Sequence, residues 1–240
     1  MTDFNQHRFE LLLPWQLRDI IATSPIAYIP IGTFEWHCEH LPIGLDALTA
    51  HGLCLRAAAK TGGVVLPALH YGTGGGHGDY PFTIMMSKPD EIETLLALTI
   101  TRLETFGFKK ITVLSGHFPH EQLDMIDRLV AKHSHPNFTV FATAVNRIEG
   151  LDVAPDHAGV FETTLLYALH PELVQMDRLP SVANSPLTSD DWSETRHDPK
   201  HPIFGVFGSD PRSFEPTQAA NLLSTAVDWL ADKAMFSKNM

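Results

Sequence analysis

Cysteine is scarce in this 240-residue sequence, which has only Cys38 and Cys54. Two cysteines cannot build the disulfide framework of a small secreted domain. No apolar run approaches the ~20 residues that a helix needs to cross a bilayer. The N-terminal segment also lacks the apolar stretch that is typical of a signal peptide. We therefore expect a cytoplasmic protein that does not span a membrane.

Basic residues are also in the minority, with 17 Lys and Arg against 28 Asp and Glu and a net charge of −11. A nucleic-acid partner is disfavoured, because phosphate binding needs clustered positive charge. Hydrophobic residues make up 44% of the chain and charged residues 19%, which is ordinary for a protein with a buried core. The length suits one α/β domain over residues 1–240.

Several catalytic motifs are missing. The sequence has neither His-Glu-x-x-His nor Gly-x-Ser-x-Gly, so zincin and serine-hydrolase mechanisms are not indicated. A glycine-rich segment at residues 72–78 lacks the Lys-Ser/Thr pair of a phosphate-binding loop. We interpret this segment as a mobile loop at the mouth of a pocket, from which His77 and Asp79 could contact substrate.

Short apolar segments alternate with longer stretches of helical composition. The predicted strands are residues 28–31, 64–66, 111–114 and 138–142, and the predicted helices are residues 47–60, 87–107, 122–133, 158–169 and 218–236. This alternation predicts an α/β fold, a three-layer αβα arrangement with a mainly parallel sheet. Residues 179–216 are rich in Pro, Ser and Asp, and we expect a long ordered loop or a partner-facing excursion there.

The 14 histidines matter because several follow predicted strands, where ligands bind in parallel sheets. Glu35 and His37 lie two residues apart, so both side chains point the same way from extended backbone. Asp46 follows nine residues later, and His117 and His120 follow the third predicted strand. Carboxylate and imidazole together suit Zn, Mn or Fe(II), and a bridging carboxylate could hold two ions. The alternative is a solvated polar loop with structural histidines.

Three segments resemble motifs of the creatininase family. Residues 30–46 resemble its opening motif, Pro-x-Gly-Ser-x-Glu-x-His-Gly-x-His-Leu-Pro-x-x-x-Asp. The Ser-Gly-His at residues 115–117 is similar to the family's Asn-Gly-His, and residues 156–164 resemble its His-Ala-Gly-x-x-Glu-Thr-Ser. The motifs occur in order and span about residues 26–172. The resemblance therefore covers most of the chain before the Pro-rich region.

The resemblance implies a set of site residues. Its metal ligands correspond to Glu35, His37, Asp46 and His117. His157 corresponds to a histidine implicated in proton transfer, and Glu162 to a glutamate at the metal site. The implied cofactor is a divalent transition metal, one or two ions of Zn, Mn or Fe. The family also suggests a homo-oligomer, often a hexamer.

The sequence departs from the family at the second metal. Family members can carry a glutamate two residues after the Asn-Gly-His histidine, and this chain has Pro119 there. The second-metal role must then pass to Glu162 or to His120, and we favour Glu162 as the ligand and His120 as a substrate contact. Replacement of the family's usual Gly-Pro by Cys38-Glu39 weighs further against creatinine as the substrate.

We expect His40 and Glu39 to orient the ligands, and we interpret isolated histidines such as His197 as surface residues. The function implied is a hydrolase that cleaves a C–N bond of a small cyclic or formyl amide through metal-activated water. Three alternatives remain open. They are opening of a carbocyclic keto-sugar ring at the same site, a metal-dependent isomerase or lyase, and a metal-binding subunit without catalysis.

Overall fold

The computed structural model describes residues 4–236. Within this range the sheet has four strands, which are β1 (Ile26–Ile31), β2 (Val64–Val65), β3 (Lys110–Ser115) and β4 (Thr139–Ala144). The α-helices are α1 (Pro14–Thr23), α2 (Leu45–Thr61), α3 (Asp90–Phe106), α4 (His120–His133), α5 (Val160–Leu169) and α6 (Ala219–Phe236). Every predicted strand and helix therefore has a counterpart, and α1 is additional.

The strands run in the order β2-β1-β3-β4, and each neighbouring pair is parallel. β1 and β3 are the central strands, and six residues of each are paired, from Ile26 with Lys110 to Ile31 with Ser115. Parallel neighbours need crossover connections, which the helices between the strands provide. The three-layer α/β fold with a parallel sheet is confirmed.

The side chains of alternate strand residues pack into two separate apolar clusters, one on each face of the sheet. Ala27 and Ile29 of β1 belong to a cluster that includes residues of α3 and α4 and is partly covered by α1. Tyr28 faces the other way, into a cluster with residues of α2, α5 and α6. The sheet is thus buried on both faces, as the near-continuous apolar strands predicted.

The helix α1 was not predicted because its sequence carries little signal of burial. None of its residues is buried, and Trp15 is 55% exposed. Its start follows ordinary rules, since Pro14 occupies the first helical position and the Gln16 side chain accepts a hydrogen bond from the backbone of Leu13. Along residues 4–236, no helix combines the length and apolar character required to span a bilayer.

The Pro-rich region, residues 179–216, forms a series of short turns. Its 3-10 turns include Glu194–His197 and Pro211–Ser213. Arg196 is completely buried among them, and its guanidinium donates to Asp190 and to the carbonyls of Val206 and Gly208. The region is therefore an ordered loop, and a buried arginine supplies part of its internal hydrogen bonding.

Candidate metal centre

The predicted ligands meet at the carboxyl ends of the two central strands. Glu35 and His37 follow β1, His117 follows β3, and Asp46 lies in the first turn of α2. Gly116 permits this meeting, because a Cβ atom there would lie 2.1 Å from the backbone oxygen of Asp46. The start of α2 can therefore come close to the end of β3 only where a side chain is absent.

Asp46 lies between two histidines and offers a different oxygen to each. Its Oδ1 is 3.2 Å from Nε2 of His37, and its Oδ2 is 3.4 Å from Nδ1 of His117. On one side, Nδ1 of His117 is also 2.9 Å from Oε2 of Glu35. On the other, Nε2 of His37 is 3.5 Å from Oε2 of Glu162. This is the arrangement of a bridging carboxylate.

Two donor sets result, and they share Asp46. One contains Glu35, Asp46 and His117 and the other His37, Asp46 and Glu162, with the donor atoms of each set within 4.8 Å of one another. Two donors that share an ion at ~2.1 Å, at angles of roughly 90–110°, lie about 3.0–3.4 Å apart. The separations around Asp46 therefore suit two neighbouring transition-metal ions.

The electrostatics of the cluster also call for cations. Oε2 of Glu35, Nε2 of His37 and Oδ2 of Asp46 are buried without a hydrogen-bond partner within residues 4–236, and buried polar atoms normally have one. Burial alone would lower the pKa of His37, but Asp46 and Glu162 raise that pKa to about 10. The two carboxylates thus stabilise positive charge at His37, as they would stabilise a metal ion. The residues present thus fit the implied ions.

Glu162 reaches the cluster from the first turn of α5. Asp156 caps this helix by accepting hydrogen bonds from the backbone of Gly159 and Phe161, as short polar side chains do at helix starts. The backbone of Ala158 donates to Oε2 of Glu162 at 2.7 Å. Burial raises the pKa of the Glu162 carboxyl, with Asp46 adding to the effect. A third buried carboxylate is therefore available where Pro119 offers none.

His157 lies beside the cluster with one nitrogen already committed. Its Nε2 is 3.1 Å from the carbonyl oxygen of Trp36, so Nε2 carries the hydrogen and donates it. Its Nδ1 is 4.0 Å from Oε2 of Glu162, and the ring can also join Glu35 and His37 in a third donor set. Burial lowers the pKa of His157 to about 3. The imidazole is thus neutral, with a free lone pair on Nδ1.

A pocket of about 330 Å³ opens over the two donor sets. Its lining combines the cluster with aromatic and apolar side chains: Glu35, Asp46, Gly75, His77, His117, Phe118, Pro119, His157, Glu162, Trp192, His197 and Phe207. Among these described lining residues there is neither Lys nor Arg. The volume is at the lower end of the range of about 300–1,000 Å³ for small-molecule sites.

The structure brings two predicted accessory residues to the cluster. His77 contacts Oε1 of Glu35 through Nδ1 at 2.6 Å. His40 is buried, and its Nε2 lies 3.0 Å from the hydroxyl of Thr163. Burial, assisted by the neighbouring His37, lowers the pKa of His40 to about 3. His40 is thus a neutral residue packed behind His37.

Two other predicted residues lie elsewhere. Glu39 is exposed, so its carboxylate is directed to solvent and not toward the ligands. His120 is exposed in the first turn of α4 and does not line the pocket. The reason is that α4 begins at His120 itself, one residue after the extended Pro119. The expectation that His120 contacts substrate or a second ion is corrected accordingly.

Two lining residues from the Pro-rich region, His197 and Phe207, were not expected at the pocket, where they form a wall with Trp192. His197 is exposed, as expected for a surface residue, and lines the pocket as well. The backbones of Phe207 and His157 exchange hydrogen bonds of 2.8 and 2.9 Å, which pin this wall to the site. No periodic pattern marks these residues, because they come from turns.

Known proteins share this sequence pattern. A family model for creatininase (creatinine amidohydrolase) matches residues 14–234. The creatinine amidohydrolase of Pseudomonas putida is 27% identical over 232 residues, which cover 86% of this chain and 82% of the relative. The mycofactocin precursor peptide peptidase of Mycolicibacterium smegmatis is 28% identical over 185 residues, 71% of this chain and 68% of the relative.

Solved structures share the fold. A crystal structure of creatinine amidohydrolase superposes with a TM-score of 0.72 at 24% identity, covering 97% of this chain and 99% of the other. A zinc–zinc form of a mutant creatininase gives a TM-score of 0.74 at 22% identity, covering 99% and 100%. With the family match extending over most of its length, the chain belongs to the creatininase (creatinine amidohydrolase) family.

Proposed function

We propose that this protein is a metal-dependent hydrolase that cleaves a C–N bond of a small, uncharged cyclic or formyl amide. One observation carries the proposal. Asp46 lies between two donor sets, and the free Nδ1 of His157 faces the same pocket. Family membership supports the reaction class, since the P. putida relative is a creatinine amidohydrolase.

We assign one ion to Glu35, Asp46 and His117 and a second to His37, Asp46 and Glu162. Zn²⁺, Mn²⁺ or Fe²⁺ suits these oxygen and nitrogen donors, and a manganese creatininase is among the proteins with this fold. Bound ions would supply Lewis-acid chemistry, which polarises a carbonyl and, for zinc, lowers the pKa of water from about 15.7 to about 7.

His157 is our candidate for proton transfer. Its Nε2 is fixed by the carbonyl of Trp36, which leaves Nδ1 as the proton acceptor on the pocket side. The geometric support for this role is the uncommitted lone pair of Nδ1 beside the donor sets. Once protonated, Nδ1 can deliver that proton to the departing nitrogen of the amide. The hydrogen bond to Trp36 holds the ring in one orientation for both transfers.

The chemistry of the pocket walls favours an uncharged substrate. With no Lys or Arg among the described lining residues, a substrate carboxylate or phosphate has no cationic side chain to pair with. Phe118, Trp192 and Phe207 offer apolar contact to a flat group. Ring opening of a polyhydroxylated keto-sugar is the less favoured alternative, because these apolar side chains offer its hydroxyl groups few hydrogen bonds.

A peptide bond is the second candidate substrate. The likeness to a mycofactocin precursor peptide peptidase supports it, as does the position of Trp192, which lines the pocket and is 68% exposed. We also propose that the chain acts as a single domain in a cytoplasmic homo-oligomer, up to a hexamer. The family resemblance is the support for this assembly, and sedimentation analysis of the purified protein tests it.

A substrate panel tests the proposal directly. The protein loaded with Mn²⁺ or Zn²⁺ is offered creatinine, other cyclic amides, formyl amides and short peptides. Mass spectrometry follows the products, which are ring-opened molecules that have gained one water from the cyclic amides and two fragments from the formyl amides and peptides. Chelator-treated protein and the His157→Ala variant are the controls. We expect hydrolysis of at least one uncharged amide by the loaded protein and loss of it in both controls. Turnover that persists unchanged after the metal has been removed would contradict a metal-dependent reaction.

A further inference from the structure

The glycine-rich segment at residues 72–78 has no role in the mechanism above, although it borders the pocket. It is anchored at its start by Thr73, whose backbone donates to Gln122 of α4 and whose hydroxyl donates to the carbonyl of Met86. Gly74, Gly75 and Gly76 then follow with φ of +84°, +95° and +74°. Three consecutive left-handed residues reverse the chain, and His77 comes next.

His77 contacts one oxygen of Glu35, and His117 lies near the other. Nδ1 of His77 is 2.6 Å from Oε1 of Glu35. The other oxygen, Oε2, lies 2.9 Å from Nδ1 of His117, but the angles there do not suit a hydrogen bond. A carboxylate that holds a metal is ionised and can only accept, so Nδ1 of His77 is the donor. Oε1 is thereby held by His77, and Oε2 is left for the ion.

The ring of His77 is itself fixed by stacking. Its centroid lies 4.8 Å from that of Tyr80 with an interplanar angle of 13°, and 5.2 Å from that of Phe207 with an angle of 16°. Tyr80 belongs to the same loop, and Phe207 belongs to the wall pinned to His157. The ring therefore ties the glycine-rich loop to the Pro-rich region at the point where it binds Glu35.

We propose that His77 is a positioning residue that orients Glu35 for metal binding, and that the run Gly74 to Gly76 exists to return the chain so that His77 reaches it. This inference rests on the metal centre of the proposed function. It gives the glycine-rich segment a purpose other than phosphate binding. Hydrogen-bonding partners of metal ligands commonly matter in this way, and their loss costs about 10–100-fold in metal affinity.

Two substitutions separate the hydrogen bond from the stacking. His77→Phe keeps a ring beside Tyr80 and Phe207 but removes the donor. His77→Asn removes the ring but keeps an N–H donor at the same number of bonds from Cα. Affinity for Mn²⁺ and Zn²⁺ is measured by competition with a chromogenic chelator, and thermal melting of the metal-free proteins checks folding. We expect His77→Phe to weaken one binding step by about 10–100-fold and His77→Asn to retain most of the wild-type affinity.

Two glycines form a matched test of the loop. A Cβ added at Gly76 or at Gly78 would meet nothing within 4 Å, but only Gly76 has a positive φ. Gly76→Ala therefore strains the backbone without a clash, and Gly78→Ala is its control. We expect Gly76→Ala to weaken the same binding step as His77→Phe and Gly78→Ala to leave it unchanged.

The outcomes separate this inference from the proposed function. If the wild-type protein binds no metal, the proposed function fails and the inference fails with it. If the wild-type protein binds metal and His77→Phe binds it equally tightly, only the role of His77 is refuted. The same conclusion follows if His77→Asn is as weak as His77→Phe, because the ring would then matter and not the donor. Equal affinities of Gly76→Ala and Gly78→Ala would refute the role of the glycine run.

Discussion

Removal of the bridging carboxylate is the most informative perturbation of this protein. Without Asp46, each donor set falls from three protein ligands to two, leaving Glu35 with His117 and His37 with Glu162. Catalytic metal sites usually have three protein ligands. Asp46→Ala should therefore abolish binding of both ions, whereas loss of any other ligand should affect mainly one.

The size of the effect follows from linkage between binding and folding. An ion present at 100 times its Kd stabilises the folded state by about 2.7 kcal/mol, so two ions contribute about 5 kcal/mol. For a chain of this length, 1 kcal/mol shifts the Tm by about 2–4 °C. Metal loading should then raise the Tm of the wild-type protein by about 10–20 °C and that of Asp46→Ala by a few degrees at most.

The assay compares each protein with itself, with and without metal, so any effect of the substitution on the metal-free fold cancels. Differential scanning calorimetry gives the Tm, and elemental analysis gives the number of ions per chain. Asp79→Ala is the matched control, because Asp79 is an exposed aspartate in the loop that borders the pocket. A full metal-induced rise in the Tm of Asp46→Ala would refute the bridging role, and no rise in the wild-type protein would refute the metal centre.

Three further predictions concern proton transfer, the second ion and the pH dependence of metal binding. His157→Ala should keep both ions and lower kcat by about 10²–10⁴-fold. An unchanged kcat would remove His157 from the reaction. The exposed His120 supplies the control, since His120→Ala should alter neither kcat nor KM. Glu162→Gln should lower occupancy of one ion and spare the other, which elemental analysis decides, and equal loss of both would contradict our assignment. Because the pKa of His37 is raised to about 10, an ion that binds there must displace a proton. Below that pKa, metal affinity should therefore rise about tenfold for each unit increase in pH, for one displaced proton. Chelator competition at several pH values measures the slope, and an affinity that does not change with pH would contradict the displacement of a proton.

Much of the fold could be predicted because local patterns and the global fold agree in the sheet and its helices. The strand Ile26–Ile31 is apolar at every position, as a strand covered on both faces must be. The helix α1 escaped prediction for the opposite reason. It packs only partly buried side chains such as Leu17 and Ile20 at the edge of the core, and its pattern is correspondingly weak.

The candidate metal ligands were visible in the sequence because each follows a strand or lies at the start of a helix. Motif spacing then indicated which carboxylates and imidazoles share a pocket. The same logic failed for His120, where the boundary of one helix decides the outcome. A shift of one residue in the start of α4 would change the direction of that side chain, and sequence patterns do not fix boundaries so closely.

The pocket wall from the Pro-rich region illustrates a deeper limit. Part of its order comes from Arg196, a completely buried side chain of a type that is almost always exposed unless it is paired. The partners that pay for its burial are the Asp190 carboxylate and the backbone carbonyls of Val206 and Gly208. Backbone carbonyls carry no sequence signature, so an arginine that collects them looks like any surface arginine until the fold is known. His197 and Phe207 come from the turns around this arginine. Motif spacing could therefore predict the candidate ligands, but it could not predict the side chains that shape the pocket above them.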